Sequence, residues 1–225
     1  MPRTRARFPQ PRGRFEMLAI VDYGVGNLFS LKSSLRAVHA DAVVTGDAES
    51  IEKADRIILP GVGAFGDAAE KLRATGLSKV VTDEALNGKP LLGICLGMQL
   101  LFEKSLEFGE HEGLGLLKGC VKPLAGYIPP EYKIPQIGWN ALSFKNGGEK
   151  SPIFSTIRNG TYVYFVHSFY AADCEDSVLA TTDYGAEVTA AAGRENVFGC
   201  QFHPEKSGEA GLRILKAFSE TERAP

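Results

Sequence analysis

The sequence predicts a single three-layer α/β domain, a mostly parallel central sheet flanked by helices. Three observations predict it. Over the first half, short apolar runs alternate with stretches of helical period, the pattern of strands covered on both faces by crossover helices. A Gly-x-Cys-x-Gly turn joins one such run to a helical stretch. No linker composition interrupts the 225 residues, a length that suits one core.

Residues 17–22 (MLAIVD) are an apolar run ending in Asp22-Tyr23-Gly24, as a buried strand does. Leu28, Leu31, Leu35 and Val38 then recur at helical spacing, with Asn27 placed to cap the helix. Residues 56–59 (RIIL) form a second buried strand, stopped by Pro60-Gly61, and helical stretches follow at 67–74 and 77–86. Residues 90–94 (PLLGI) lead as a strand into Cys95, and 96–104 reads as a helix. The second half changes character: 121–130 and 139–144 read as loops and strand segments. Residues 161–167 (TYVYFVH) are aromatic and β-branched, hence a strand. Short strands at 178–182, 186–192 and 197–202 precede a closing helix marked by Leu212, Leu215 and Phe218. The expected organisation is a disordered basic arm over 1–16 and one domain over 17–221.

Composition narrows the function. Hydrophobic residues are 44% and charged residues 23%, ordinary for a globular chain in water. No apolar run approaches the roughly 20 residues of a membrane-spanning helix, so no membrane partner is expected. The net charge is −2, but residues 1–16 hold five arginines against Glu16 and carry +4, leaving −6 on the body. An acidic body argues against nucleic acid as a partner, because phosphate contacts need a basic face. Cys95, Cys120, Cys174 and Cys200 form no CxxC pair and read as reduced thiols of a cytoplasmic protein. There is neither a P-loop nor metal-ligand spacing, so no cofactor and no metal are expected.

The sharpest local feature is Gly93-Ile94-Cys95-Leu96-Gly97 between strand and helix, the thiol form of a nucleophile elbow. A nucleophile there projects above the sheet, and the flanking glycines let neighbouring backbone approach. The helix beginning at Leu96 turns its N-terminal amides toward the sulfur, which favours the thiolate. A buried core thiol is the competing reading of Cys95. A thiolate needs a base that later returns a proton to the leaving amine. Of the histidines, His39 closes a helix as a surface residue, His111 reads as solvated in a polar loop, and His167 ends a strand as either a pocket or a core residue. His203 stands in Gln201-Phe202-His203-Pro204-Glu205. Pro204 restricts His203 to extended backbone, which would put residues 203 and 205 on one side and let Glu205 orient the imidazole. A surface His-Glu pair is the competing reading.

With these residues in place the chain resembles class I glutamine amidotransferases. More narrowly, it resembles their glutaminase subunits of imidazole glycerol phosphate synthase, a heterodimer of histidine biosynthesis. The resemblance spans about residues 17–219 and rests on GICLGMQLLFE (93–103), DYGVGN (22–27), LPGVGAFGDA (59–68), IGWN (137–140), YFVHS (164–168) and FHPEKS (202–207). It implies a Cys95, His203, Glu205 triad acting on L-glutamine through a thioester. It implies an oxyanion hole from the Leu96 amide and the Gly61-Val62-Gly63 segment, with the Val62 amide turned inward. Gln99, Glu107, Ser168 and Phe169 would hold glutamine. Asn27, Trp139, Asn140, Tyr164 and Lys206 would line the docking face for a (β/α)8-barrel cyclase, which takes the ammonia to make imidazole glycerol phosphate and AICAR. Two positions depart from the family pattern: Gln136 stands where many relatives have histidine, and Phe169 where tyrosine is common. Cys120, Cys174 and Cys200 match no catalytic position. Three readings compete: an amidotransferase feeding an amidino-sugar synthase, a standalone cysteine hydrolase, and a regulatory subunit without activity.

Overall fold

The computed structural model describes residues 17–223. The arm expected over 1–16 lies outside them. Among the described residues, fourteen strands and six α-helices follow one another along the chain. The first half gives β1 (Leu18–Val21), α1 (Leu28–Ala37), β2 (Ala42–Thr45), α2 (Ala48–Lys53), β3 (Arg56–Leu59), α3 (Phe65–Ala74), α4 (Leu77–Leu86), β4 (Leu91–Ile94) and α5 (Leu96–Leu100). The second gives β5 (Phe102–Ser105), β6 (His111–Glu112), β7 (Leu117–Pro123), β8 (Gln136–Ala141), β9 (Ser143–Phe144), β10 (Tyr162–His167), β11 (Phe169–Ala172), β12 (Val178–Asp183), β13 (Glu187–Arg194), β14 (Val197–Cys200) and α6 (Gly208–Ser219).

The main sheet has eight strands in the order β2-β1-β3-β4-β14-β13-β12-β9. It is parallel from β2 through β14 and antiparallel beyond. Its apolar strands are buried on both faces, which is why they read as continuous runs rather than alternating ones. In β1, Ala19 and Val21 face the layer of α2, α3 and α4, while Leu18 and Ile20 face α1 and α6. Phe65 and Leu72 of α3 and Leu77 and Val81 of α4 fill the first layer. Leu31 and Leu35 of α1 and Ile214, Leu215 and Phe218 of α6 fill the second. Two smaller sheets, β11-β7-β5-β6 and the ribbon β10-β8, stand beside the main one and wall the cleft above it.

Two expectations are corrected here. The helix anticipated over 96–104 stops at Leu100, and Phe102–Ser105 becomes β5. Phe102 pairs with Leu117 and Ser105 with Val121 of β7, so long-range pairing overrides a helical spacing that Leu100, Leu101 and Phe102 satisfy only nominally. The pair β2 and α2 has no counterpart among the elements the sequence predicts. The four residues of β2 are only half-buried at the sheet edge, and α2 is six residues long, capped by Asp47 accepting from the Ser50 amide at 2.9 Å. Neither is long enough for periodicity to stand out.

Candidate active site

Strand β4 runs directly into Cys95, whose φ of 54° and ψ of −111° lie outside the regions a side chain favours. Backbone strain of this kind is held only where the surroundings over-determine it, and the neighbouring glycines show how. A Cβ on Gly97 would stand 1.8 Å from the Leu59 carbonyl oxygen, and one on Gly93 would stand 2.6 Å from the Gly97 carbonyl oxygen. Only bare backbone lets β3, β4 and α5 close to this distance. The Cys95 amide then donates to the Cys200 carbonyl at 2.8 Å, locking the elbow to the end of β14.

That same register delivers the base. Strands β4 and β14 are parallel neighbours with Ile94 opposite Cys200, so both chains leave the sheet at one carboxyl end, where α/β sheets place their sites. Three residues past β14, His203 is 3% exposed. Its amide donates to the Tyr164 carbonyl at 2.9 Å. Its Nδ1 lies 2.8 Å from Glu205 Oε1, both side chains being buried. The backbone reason differs from the expected one: His203 is extended, but Pro204–Lys206 is a 3-10 turn. Pro204 opens that turn, and the turn rather than an extended strand carries Glu205 back under the imidazole. Burial by itself would lower the His203 pKa; hydrogen bonds to Cys95 and Glu205, and the charges of both, outweigh it and push the group up to about 9. The fold thus brings the imidazole, its carboxylate partner and the Cys95 sulfur to one end of the sheet.

Cys95 and His203 open onto a cavity of about 580 Å³, ample for one small amino acid. Val62, Gly63 and Leu96 line it beside the sulfur. Gly61 lies beneath, where a Cβ would come within 3.0 Å of Leu96 and 2.9 Å of the Tyr23 hydroxyl. Tyr23 itself donates to the Pro60 carbonyl at 2.8 Å, fixing the start of this glycine-rich segment. Gln99, Glu107, Ser168 and Phe169 line the rest. The Glu107 carboxylate accepts from the Phe65 amide at 2.7 Å, at the first turn of α3, where negative charge is favoured. A second cavity of about 430 Å³, lined by Cys174 and Lys145, holds a Lys145–Glu187 ion pair and none of these groups.

His167 is a cavity residue. Its Nδ1 lies 2.8 Å from the Phe169 carbonyl, which can only accept, so Nδ1 bears the hydrogen and Nε2 is a bare acceptor. Nε2 is buried without a partner among the described residues, and burial holds the ring down to about 4. His39 is exposed as expected. His111 is not simply solvated: it sits on β6, half-buried, with its ring against Gly66 of α3.

Of the residues expected at a docking face, Trp139, Tyr164 and Lys206 come together, while Asn140 and Asn27 do not join them. Trp139 and Tyr164 are paired across β8 and β10, with rings 6.1 Å apart. Lys206 Nζ lies 5.9 Å from the centre of the Tyr164 ring. Trp139 is 51% exposed and Ile137 and Tyr162 are exposed with it, a run of apolar side chains on the outer face of the ribbon. Asn140 is turned the other way, accepting from Gln136 at 3.1 Å and donating to the Asp183 carbonyl. Asn27 caps α1 through the Ser30 amide and lines a small recess with His203 and Glu205. Gln136 is wholly buried, so its departure from the family pattern alters the inside of the ribbon rather than its exposed face.

One buried group near the sulfur is not apparent from the sequence. Gln201 is 0% exposed, accepts from Gln99 Nε2 at 2.9 Å and stands 3.7 Å from Cys95 Sγ. Its only sequence signal is a lone amide inside the apolar run of residues 197–202.

Comparisons with known proteins give the family and the fold. The family model described as "Glutamine amidotransferase class-I" matches residues 19–220. The imidazole glycerol phosphate synthase subunit HisH of Caldanaerobacter subterraneus subsp. tengcongensis is 51% identical over 205 residues, 91% of this chain and 98% of its own. That of Wolinella succinogenes is 52% identical over 206 residues, 91% of this chain and 99% of its own. Among solved structures, PurLQS from Thermotoga maritima aligns with a TM-score of 0.72 at 22% identity, covering 91% of this chain and 98% of that one. The glutaminase domain of Trypanosoma brucei CTPS aligns with a TM-score of 0.61 at 16% identity, covering 92% and 95%; both likenesses speak to the fold. The chain belongs to the class I glutamine amidotransferase family, alongside the HisH subunits of imidazole glycerol phosphate synthase.

Proposed function

We propose that the chain is the glutaminase subunit of an imidazole glycerol phosphate synthase, hydrolysing L-glutamine to glutamate and handing the ammonia to a (β/α)8-barrel cyclase in a cytoplasmic heterodimer. The observation that carries the chemistry is the buried His203–Glu205 contact at 2.8 Å, with the imidazole opening onto the same cavity as the Cys95 sulfur. The Cys95 thiolate attacks the side-chain carbonyl carbon of glutamine, and the electron pair moves to the oxygen. The Leu96 amide and the Val62 amide, freed to reorient by Gly61 and Gly63, stabilise that oxyanion; each such donor is worth roughly 3–4 kcal/mol. The imidazolium of His203 gives its proton to the departing nitrogen, which leaves as ammonia, and a thioester remains on Cys95. His203 then takes a proton from water as the water attacks the thioester, and glutamate departs with the sulfur again a thiolate. Glu205 holds the imidazole throughout.

Glu107 pairs with the substrate's α-ammonium, Gln99 offers its carbonyl oxygen, and Ser168 and Phe169 bind through main-chain groups. The exposed aromatic side chains of the β8–β10 ribbon, with Lys206 beside Tyr164, suit a protein partner, since contiguous exposed apolar surface marks interaction sites; Asn27, at the head of α1, would extend that face. The relatives' standing as synthase subunits and the unpaired thiols of Cys95, Cys120, Cys174 and Cys200 support the partner and the reducing compartment. The test is ammonia release from glutamine with and without a barrel cyclase and its nucleotide ligand. Weak release alone and strong release in the complex is expected. Cys95→Ala should abolish glutamine-driven synthesis while added ammonia still drives the cyclase. Glutamine-driven turnover by Cys95→Ala would overturn the mechanism.

A further inference from the structure

Resting on the glutaminase reading, we propose that Gln201 is a further residue of the catalytic machinery: its side-chain amide donates to Cys95 Sγ and stabilises the thiolate, while His203 carries the proton. Three contacts fix the orientation of that amide. The Phe169 carbonyl can only accept, and Gln99 places its amide 3.0 Å from it; that atom is therefore nitrogen. The same nitrogen lies 2.9 Å from Gln201, so the Gln201 atom facing it is oxygen. The other end of the Gln201 amide, 3.7 Å from Cys95 Sγ, must then be the NH₂. A backbone carbonyl on β11 thus dictates, through two buried amides, that the sulfur meets a donor.

The arrangement fits a change of protonation at the sulfur. A thiol can donate to the Val166 carbonyl, 3.9 Å from Sγ. A thiolate loses that bond and gains Gln201 as a donor. Both hydrogens of Gln99 are occupied by Phe169 and Gln201, which leaves only its carbonyl oxygen for a ligand. Gln201 is 0% exposed and Gln99 is 5% exposed, so water does not compete for either position, and an unmatched partner there is costly.

The experiment measures alkylation of Cys95 by iodoacetamide across pH in the full chain, followed on the Cys95 peptide by mass spectrometry. The titratable groups facing the sulfur are Tyr23, Cys200 and His203 with its Glu205 partner. His167 lies behind His203, and Glu107 and Lys206 stand across the cavity. All are kept in the variants. Gln201→Leu should move the alkylation midpoint up by about one pH unit, roughly a tenfold loss of rate below it. Gln201→Glu keeps the acceptor for Gln99, and therefore the packing, but replaces the donor by a carboxylate; it should move the midpoint at least as far. The thiol assay does not need glutamine turnover. Wild-type chain that alkylates normally but releases no ammonia, even with the cyclase, would sink the glutaminase reading. An active wild type with unmoved midpoints in a folded Gln201→Glu would sink the role of Gln201.

Discussion

At the scale of single residues, the two buried histidines of the cleft pull stability in opposite pH directions. His203 is pushed up to about 9 in the fold. Its contribution is therefore complete below the unfolded value of about 6.5 and is lost as pH rises through 9. His167 is held down to about 4 by burial. Its contribution is complete above about 6.5 and is lost as pH falls through 4. Each shift is worth on the order of 3 kcal/mol. Urea midpoints measured from pH 4 to 9 should peak near neutrality. His203→Asn should remove the alkaline decline and His167→Gln the acid one; a variant that left its own limb intact would refute the assignment. Activity divides differently. Glutamine hydrolysis should fall at least roughly a thousandfold in Cys95→Ala, with the fold intact by circular dichroism, because a nucleophile has no substitute.

At the scale of elements, the elbow and the ribbon make contrasting predictions. Gly97→Ala would drive a Cβ into the Leu59 backbone, which cannot move without breaking the pairing of β3 with β4. The expected loss exceeds about 3 kcal/mol in urea unfolding. Trp139→Ala on the outer face of β8 should change stability by no more than about 0.5 kcal/mol, yet weaken cyclase binding more than about tenfold. Equal effects on both would place Trp139 in the core. What is legible in the sequence follows the same division. The strands flanking Cys95 and the helices α1, α3, α4 and α6 declare themselves because each buries a periodic or continuous apolar set. The β5–β7 sheet does not, because Phe102–Ser105 alternates only once and owes its form to partners some fifteen residues on. Of the site, Cys95, His203 and Glu205 are legible from turn glycines and spacing. Gln201 is hidden, since its meaning depends on Gln99 and the Phe169 carbonyl, which lie far from it along the chain.

For the whole molecule, the insertion of β14 between β4 and β13 has a consequence for how the protein comes to life during synthesis. The thiol is made when less than half of the chain has emerged, but its neighbouring strand β14, with Gln201, His203 and Glu205, arrives only with residues 197–205. Without that strand, the sulfur keeps its glycine-rich neighbours but lacks His203, Glu205 and Gln201. A chain truncated before Val197 is therefore expected to release no ammonia from glutamine, so that activity should begin only once the last strand of the sheet has been delivered.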